Sequence, residues 1–284
     1  MIKWPAAGKL VAFCAFLGVI GTGAAEARER LIERVSNSVY DTIDDLWPEP
    51  LDVPGLKLDI GLGFGLSPEY KGSDDHETSI VPLVRVQYGR DLVLTGYTLK
   101  YSVHHDGPLT VGALARYQSG RQDDTHEALM GLGKVSSTIA VGPFVQYRFK
   151  DHVRLFAEMR HALGARQGTR VDFGTRVGVY QSENFGAQAA LTATWVSGKH
   201  MRTFFGVTPE QSANSALDLP VYEPGSGISE IALSLGSRYH VTPRTSFVSF
   251  LEYGRLFGDA KDSPLTEVGS PNQFTGGVGV LFSF

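Results

Sequence analysis

The sequence predicts an all-β protein: a transmembrane, antiparallel, up-and-down β-barrel of about twelve strands, led by a short N-terminal periplasmic helical arm. Three observations carry this expectation. From Leu56 onward, apolar residues recur with a period of two, which is the strand period. The alternating segments run about ten to fourteen residues, long enough for a tilted strand to cross a hydrocarbon layer and longer than strands of soluble proteins. The chain also closes on an alternating strand, Phe274, Val278, Val280, Phe282 and Phe284, that ends in a C-terminal Phe. Such an apolar last strand is an aggregation hazard in water but can close a barrel in lipid. Phe282 and Phe284 are accordingly read as the signal for the barrel-assembly machinery, with outer-membrane lipid as the surrounding solvent.

The chain of 284 residues divides into 1–27, 28–54 and 55–284. Lys3 and Lys9 precede an apolar stretch from Leu10 to Ile20, and Ala25-Glu26-Ala27 fits a small-residue cleavage site. This reads as a signal peptide cleaved near Ala27, and so as export to the outer membrane. The single cysteine, Cys14, lies within it, which leaves the mature chain without thiolate or disulfide chemistry. In 28–54, Leu31, Val35, Val39 and Ile43 recur every four residues until Trp47, Pro48, Pro50 and Pro54 end the pattern. Two readings stay open here: a solvated lead-in helix, or a periplasmic arm that docks on a partner or plugs the barrel foot.

Within 55–284 the alternation is explicit. Leu58, Ile60, Leu62, Phe64 and Leu66 face one way, and Lys57, Asp59, Gly61, Gly63 and Gly65 the other. Val153, Leu155, Ala157 and Met159 alternate with Arg154, Phe156, Glu158 and Arg160. The same pattern recurs through 170–180 and 230–241. Twelve segments emerge: 56–66, 79–88, 92–104, 109–119, 138–149, 153–165, 169–181, 185–197, 201–207, 229–241, 244–257 and 273–284. The segment 201–207 is short and weakly patterned, so ten strands is the alternative. This count puts the long loops 67–78, 208–228 and 258–272 outside and tight links such as Gly89-Arg90-Asp91 and Thr242-Pro243-Arg244 inside. It also makes 120–137 a long periplasmic link and leaves short outside links near Asp106 and Asn184.

A greasy face on lipid places the other face in the lumen. The inward register then carries Arg85, Arg116, Arg148, Arg154, Glu158, Arg160, Arg170, Asp172, Arg176 and Arg238, with arginine outnumbering the acids. Two arrangements suit them: a plugged interior of arginine–carboxylate pairs, or a narrow water-filled pore favouring anions.

Catalytic chemistry is not visible. There is no GxSxG elbow, HExxH or phosphate-binding loop, and no basic stripe for nucleic acid. His104-His105-Asp106 falls in a predicted turn, and neighbouring residues on a strand point apart, which disfavours a shared metal. His161 reads as interfacial, and His126 beside Asp123 and Asp124 as part of a solvated loop. No catalytic residue, metal site or cofactor is therefore expected.

Three blocks carry a family resemblance. The first is Tyr70-Lys71-Gly72-Ser73-Asp74, with Pro82 in the next strand. The second is Phe204-Phe205-Gly206-Val207-Thr208-Pro209-Glu210-Gln211-Ser212, continuing through Tyr222, Gly225 and Gly227. The third is Gly258-Asp259-Ala260-Lys261-Asp262-Ser263-Pro264-Leu265, followed by Gly269, Ser270 and Gln273. In this order and spacing they resemble the MipA/OmpV family of outer-membrane barrels over about 56–284. That resemblance implies a non-enzymatic scaffold linking a lytic transglycosylase to a murein synthase in cell-wall remodelling. Other members of the family imply a porin-like or adhesin role. For Tyr70, Gly72, Ser73, Asp74, Pro82, Phe205, Gly206, Val207, Thr208, Asp259, Ser263 and Pro264 it leaves two roles: shaping the barrel mouth, or forming a binding surface.

Overall fold

The computed structural model describes Glu33 and residues 55–284. The leader 1–27 and the arm 28–54, apart from Glu33, lie outside the described residues. Twelve antiparallel strands form one closed barrel. They are β1 (Leu56–Pro68), β2 (His76–Tyr88), β3 (Leu92–Thr95), β4 (Thr98–His104), β5 (Leu109–Gln118), β6 (Thr138–Lys150), β7 (Val153–Ala162), β8 (Thr169–Gln181), β9 (Phe185–Val196), β10 (Gly227–Thr242), β11 (Thr245–Leu256) and β12 (Asn272–Ser283). Each pairs with its sequence neighbours, and β12 closes on β1 from Asp59↔Ser283 to Leu66↔Gly276. Two further bonds continue the seam, Phe284 N–H to Leu58 O at 2.9 Å and Leu58 N–H to Phe284 O at 3.4 Å.

The expected count of twelve holds, but two segments trade places. Segment 92–104 is not one strand. It folds back at Gly96-Tyr97 into β3 and β4, with Gly96 at φ +53°, a conformation that costs glycine little. Segment 201–207 is not a strand either. It belongs to helix α1 (Gly198–Phe205), started by the Ser197 side chain accepting from the His200 N–H. The added hairpin reverses the direction of every strand from β5 to β9, and the lost strand reverses it back. As a result 119–137 joins the long loops at one end, while 105–108 and 182–184 become short turns at the other. Both misfits in the sequence-derived topology disappear. The barrel now has a loop end (69–75, 96–97, 119–137, 163–168, 197–226, 257–271) and a turn end, where β1 begins and β12 finishes.

Side chains sort as the period demands. Leu62, Phe64, Ile80, Leu233, Phe247 and Val278 are about half exposed on the outer wall, while Val81, Leu83 and Leu281 inside are all but fully buried. Exposed tyrosines mark the belt edges at Tyr88, Tyr101, Tyr147 and Tyr239. Phe282 and Phe284 are also exposed on the outer wall.

The inward glycines have a packing reason. Phe144 lies over Gly112, its pair in the register, and a Cβ at Gly112 would sit 2.6 Å from the ring. Phe250 lies over Gly277 in the same way, at 2.7 Å. Leu83 covers Gly279, where a Cβ would sit 2.7 Å from Leu83 Cδ1. Bulky groups thus lie across glycines one or two strands away and occupy interior volume without splaying the wall.

This packing makes Gly112 intolerant of a side chain. Gly112→Val should destabilise the barrel by about 1–3 kcal/mol, the usual range for overpacking. The outward neighbour Ala113→Val should be close to neutral. Urea unfolding of the two variants in lipid bilayers checks this; equal stabilities would remove the packing account.

Candidate functional site

At the loop end the connecting segments fold into a lid. It contains α1, α2 (Pro209–Asn214), α3 (Gly258–Lys261), α4 (Pro264–Glu267) and a 3-10 turn at Glu127–Leu129. One apolar cluster joins Tyr70, Ala128, Leu129, Leu132, Val207, Leu219 and Leu265 from four loops. A second joins Val196, Met201, Phe205, Leu256 and Ala260 at the barrel rim.

The family-block residues sit at the joints of this lid. Tyr70 donates from its hydroxyl to Leu265 O at 3.2 Å. Burial, followed by the charges of Asp74, Asp75 and Glu69, pushes this phenol up to about 12, so it stays a donor at any physiological pH. Gly72 has φ +103°, and a Cβ there would meet Thr266 Oγ1 at 2.8 Å. Its N–H donates to Gln273 Oε1 at 3.0 Å, and its carbonyl accepts from Ser270 N–H at 2.7 Å. Ser73 is fully buried and its hydroxyl accepts from Asp75 N–H. Asp74 is exposed, and its carbonyl pairs with the His76 ring at 3.0 Å. Phe205 accepts at its carbonyl from Ser263 Oγ at 2.6 Å, and that serine also caps α4 ahead of Pro264. Gly206 ends α1, Val207 bridges to Tyr222, and Thr208 opens α2 with a reciprocal capping box to Gln211. Asp259 accepts from Gly225 N–H at 2.6 Å, and its carbonyl takes the Tyr222 hydroxyl at 3.0 Å.

Pro82 stands apart from the lid. Val84 O accepts from Gly96 N–H at 2.9 Å, so residue 82, two positions along the same edge of β2, lies beyond the end of β3. Proline there leaves no N–H facing an absent neighbour.

Below the lid the lumen is crossed by charge. Lys100 Nζ lies 2.6 Å from Glu158 Oε1. Asp172 takes Arg160, Arg170 (2.8 Å) and the Thr194 hydroxyl (2.7 Å) together. Arg116 Nε donates to Thr98 Oγ1 at 2.7 Å, and the Arg176 guanidinium stacks 4.2 Å over the Phe156 ring. Nearer the turn end, Arg238 reaches Ser246 and Ser283, Ser283 bonds Asp59, and Arg85 lies 3.9 Å from Asp59. Arg154 is half-buried. Arg148 departs from the expectation: its register is inward, but it is exposed at the turn-end rim beside Lys150 rather than enclosed.

Reading the sequence missed several residues that matter. Lys71 reaches down from the first loop to Glu230, with Nζ 2.7 Å from both carboxylate oxygens. Glu230 shares the register parity of Ala232 and Ser234, so alternation alone could have placed it inward. His126 does not work with Asp123 and Asp124. Its Nδ1 accepts from Ala128 N–H, which leaves the proton on Nε2 to donate to Asp75 Oδ2 at 3.2 Å. Gln167 ties the lid to the rim through Ser119 O and Ser136 O. A cavity of about 250 Å³ remains between lid and lumen, lined by Glu33, Lys71, Arg116, Glu158, Arg170 and Glu230 among others. No group of three or more metal-ligating side chains occurs among the described residues. His104 ends β4 and His105 begins the turn after it; they lie beside Asp106 and Asp91, at 3.8 and 3.4 Å.

His200 makes the lid acid-sensitive. It is buried in α1, and its Nδ1 bonds Gln167 O at 2.6 Å. Burial and then Arg170 hold its ring down to about 3. The unfolded lid takes up this proton below its ordinary value of about 6.5, while the folded lid refuses it until about 3. Stability of the lid should therefore fall as pH drops through that window, by up to about 1.4 kcal/mol per unit. Pepsin cleavage within 209–221 should rise more steeply with acid in the natural chain than in His200→Gln; equal slopes would acquit His200.

The family model described as MltA-interacting protein MipA matches residues 60–284. No curated protein matches the chain. Among solved structures, the NanC porin is 13% identical with a TM-score of 0.41, covering 79% of this chain and 98% of that one. The translocator domain of the autotransporter NalP from Neisseria meningitidis is 11% identical with a TM-score of 0.43, covering 92% of this chain and 98% of its own. The COG4313 outer membrane channel from Pseudomonas putida F1 is 13% identical with a TM-score of 0.39, covering 83% and 97%. With the matched region running from the first strand to the last residue, this chain belongs to the family described as MltA-interacting protein MipA.

Proposed function

We propose that this protein is a non-enzymatic scaffold in the outer membrane, with its loop end outside and its turn end offered to peptidoglycan enzymes. The observation that carries this reading is the obstructed lumen: ion pairs cross it, and a lid with its own apolar core roofs it, with a cavity of about 250 Å³ between the two. A barrel obstructed in this way suits anchorage better than passage. The family description names an interaction with MltA, which supports a lytic transglycosylase as one partner; a murein synthase as the second follows from the scaffold reading itself. Those enzymes work on the periplasmic side, where short turns such as 151–152 and 243–244 would face them.

A second reading, a narrow anion pore, draws support from the arginines Arg116, Arg160, Arg170 and Arg176 around the cavity. Planar-bilayer recording separates the two. The purified full chain should give no channel steps, and detergent-solubilised barrel should retain a purified lytic transglycosylase on a column. Anion-selective steps together with no retention would overturn the scaffold in favour of the pore.

A further inference from the structure

The β3–β4 hairpin is shorter than the wall it belongs to. Its tip bridges two strands: Gly96 N–H donates to Val84 O on β2 at 2.9 Å, and Tyr97 O accepts from Tyr117 N–H on β5 at 3.0 Å. Beyond that tip β2 runs on through residues 76–83 with no strand on its β3 side. The wall there lacks two strands, so the gap from β2 to β5 is three strand spacings wide, about 14 Å. Loop 119–137 passes over the top of this gap and reaches β2 through His126 and Asp75 at 3.2 Å.

The two sides of the gap differ. Along a strand, alternate residues aim their N–H and C=O at the same neighbour. On β5, Ser119 N–H follows Tyr117 N–H toward the gap, and the Glu33 carboxylate takes it at 2.8 Å. On β2, the gap-facing residues after Val84 are Pro82, Ile80 and Thr78. Pro82, the deepest of the three from the loop end, has no N–H. Thr78 and Ile80 have one each, and among the described residues neither N–H has a partner. The Ile80 carbonyl takes the hydroxyl of its neighbour Ser79 at 3.2 Å. Both residues are exposed.

Such an edge is a template for one more strand. Phosphate and ester oxygens of a lipid would meet the N–H groups but not the carbonyls beside them, whereas an extended peptide meets both. Charge selects the peptide. Segments 69–78 and 119–137, which border the gap, carry seven acidic side chains against three Lys or Arg. Two of those three are spent inward, Lys71 on Glu230 and Arg121 on Phe204 O. Asp74, Asp75, Asp124 and Glu127 are exposed. This rim attracts cations and repels an anionic headgroup within a Debye length, about 8 Å at physiological salt.

We propose that the β2 edge at Thr78 and Ile80 is a binding site for an extended cationic peptide, which pairs antiparallel with β2, in line with β3. Backbone pairing supplies the contact, and the acidic rim supplies the preference. This does not depend on the scaffold reading, because it concerns the loop end and not what the turn end holds.

The full chain in lipid nanodiscs tests it, with a labelled peptide of alternating Lys and Val, about six residues long, as the probe. Fluorescence anisotropy should show saturable binding. The same peptide N-methylated throughout keeps its charge but cannot pair as a strand, and should bind on the order of tenfold more weakly, the effect of losing about two backbone hydrogen bonds. A peptide of alternating Glu and Val should not bind measurably. Ile80→Pro removes one donor that no strand of the wall uses and should weaken binding of the Lys peptide, while Ile80→Val should leave it unchanged. No binding of the Lys peptide, or equal binding of its N-methylated or Glu counterpart, would overturn the proposal. Should Ile80→Pro fail to fold, hydrogen exchange of the unaltered protein decides: the Thr78 and Ile80 amides should exchange freely alone and become protected by the Lys peptide, and unchanged exchange on adding it would place the peptide elsewhere.

Discussion

Lipid on the outer wall is the constraint from which the rest of this structure follows. Hydrocarbon offers no hydrogen bonds, so the backbone must pair within the wall, and only a closed sheet achieves this with strands. The β1–β12 seam is therefore a requirement of the solvent, and its continuation to Phe284 leaves little of the last strand unpaired. Pro82 follows the same logic at the place where β3 stops short. Where a neighbour is missing, the chain carries a residue that has no N–H to leave unsatisfied.

Closure turns the interior into a packing problem. Outward positions must be apolar, so polar and charged residues go inward, into a space too small to leave them fully hydrated. Two solutions share that space. Phe144, Phe250 and Leu83 lie over glycines and remove volume, while Lys100–Glu158 and the Arg160–Asp172–Arg170 group neutralise charge by direct contact. Buried ion pairs of this kind contribute little net stability, because desolvation offsets much of their attraction. Their effect is specificity: Lys100–Glu158 and Arg160–Asp172 span strands and penalise a slipped register, in which the whole polar set would turn toward lipid.

How much of this was legible follows from what is local. Period-two alternation is local, so the barrel, its inward register and its closing strand could be read directly. The β3–β4 hairpin was hidden because both strands are short and Gly96 interrupts an otherwise uniform run. Helix α1 was mistaken for a strand because Met201, Phe204 and Phe205 form a short apolar run that suits either period; the deciding cue was Ser197, a helix cap rather than a strand residue. The capping box at Thr208 and Gln211 was readable in the same way. What no local pattern discloses is that Tyr70, Leu129, Val207, Leu219 and Leu265 meet. That cluster draws on loops separated by up to nearly the full barrel circumference, and only closure brings them together.

The placement of the family-block residues bears on function. Nearly all of them are spent on joints of the lid: Gly72 against Thr266, Ser263 on Phe205, Asp259 on Gly225. A surface meant to recognise something else would leave its distinctive side chains exposed, as Asp74 alone is among the first block's named residues with a polar tip. Residues that instead satisfy one another maintain a shape. A chain that commits these blocks to roofing a barrel, and places Lys71 as a strut from that roof to the buried Glu230, ties its loop end together across the barrel mouth. That arrangement is the physical ground on which the proposed scaffold, with its contacts at the turn end, rests.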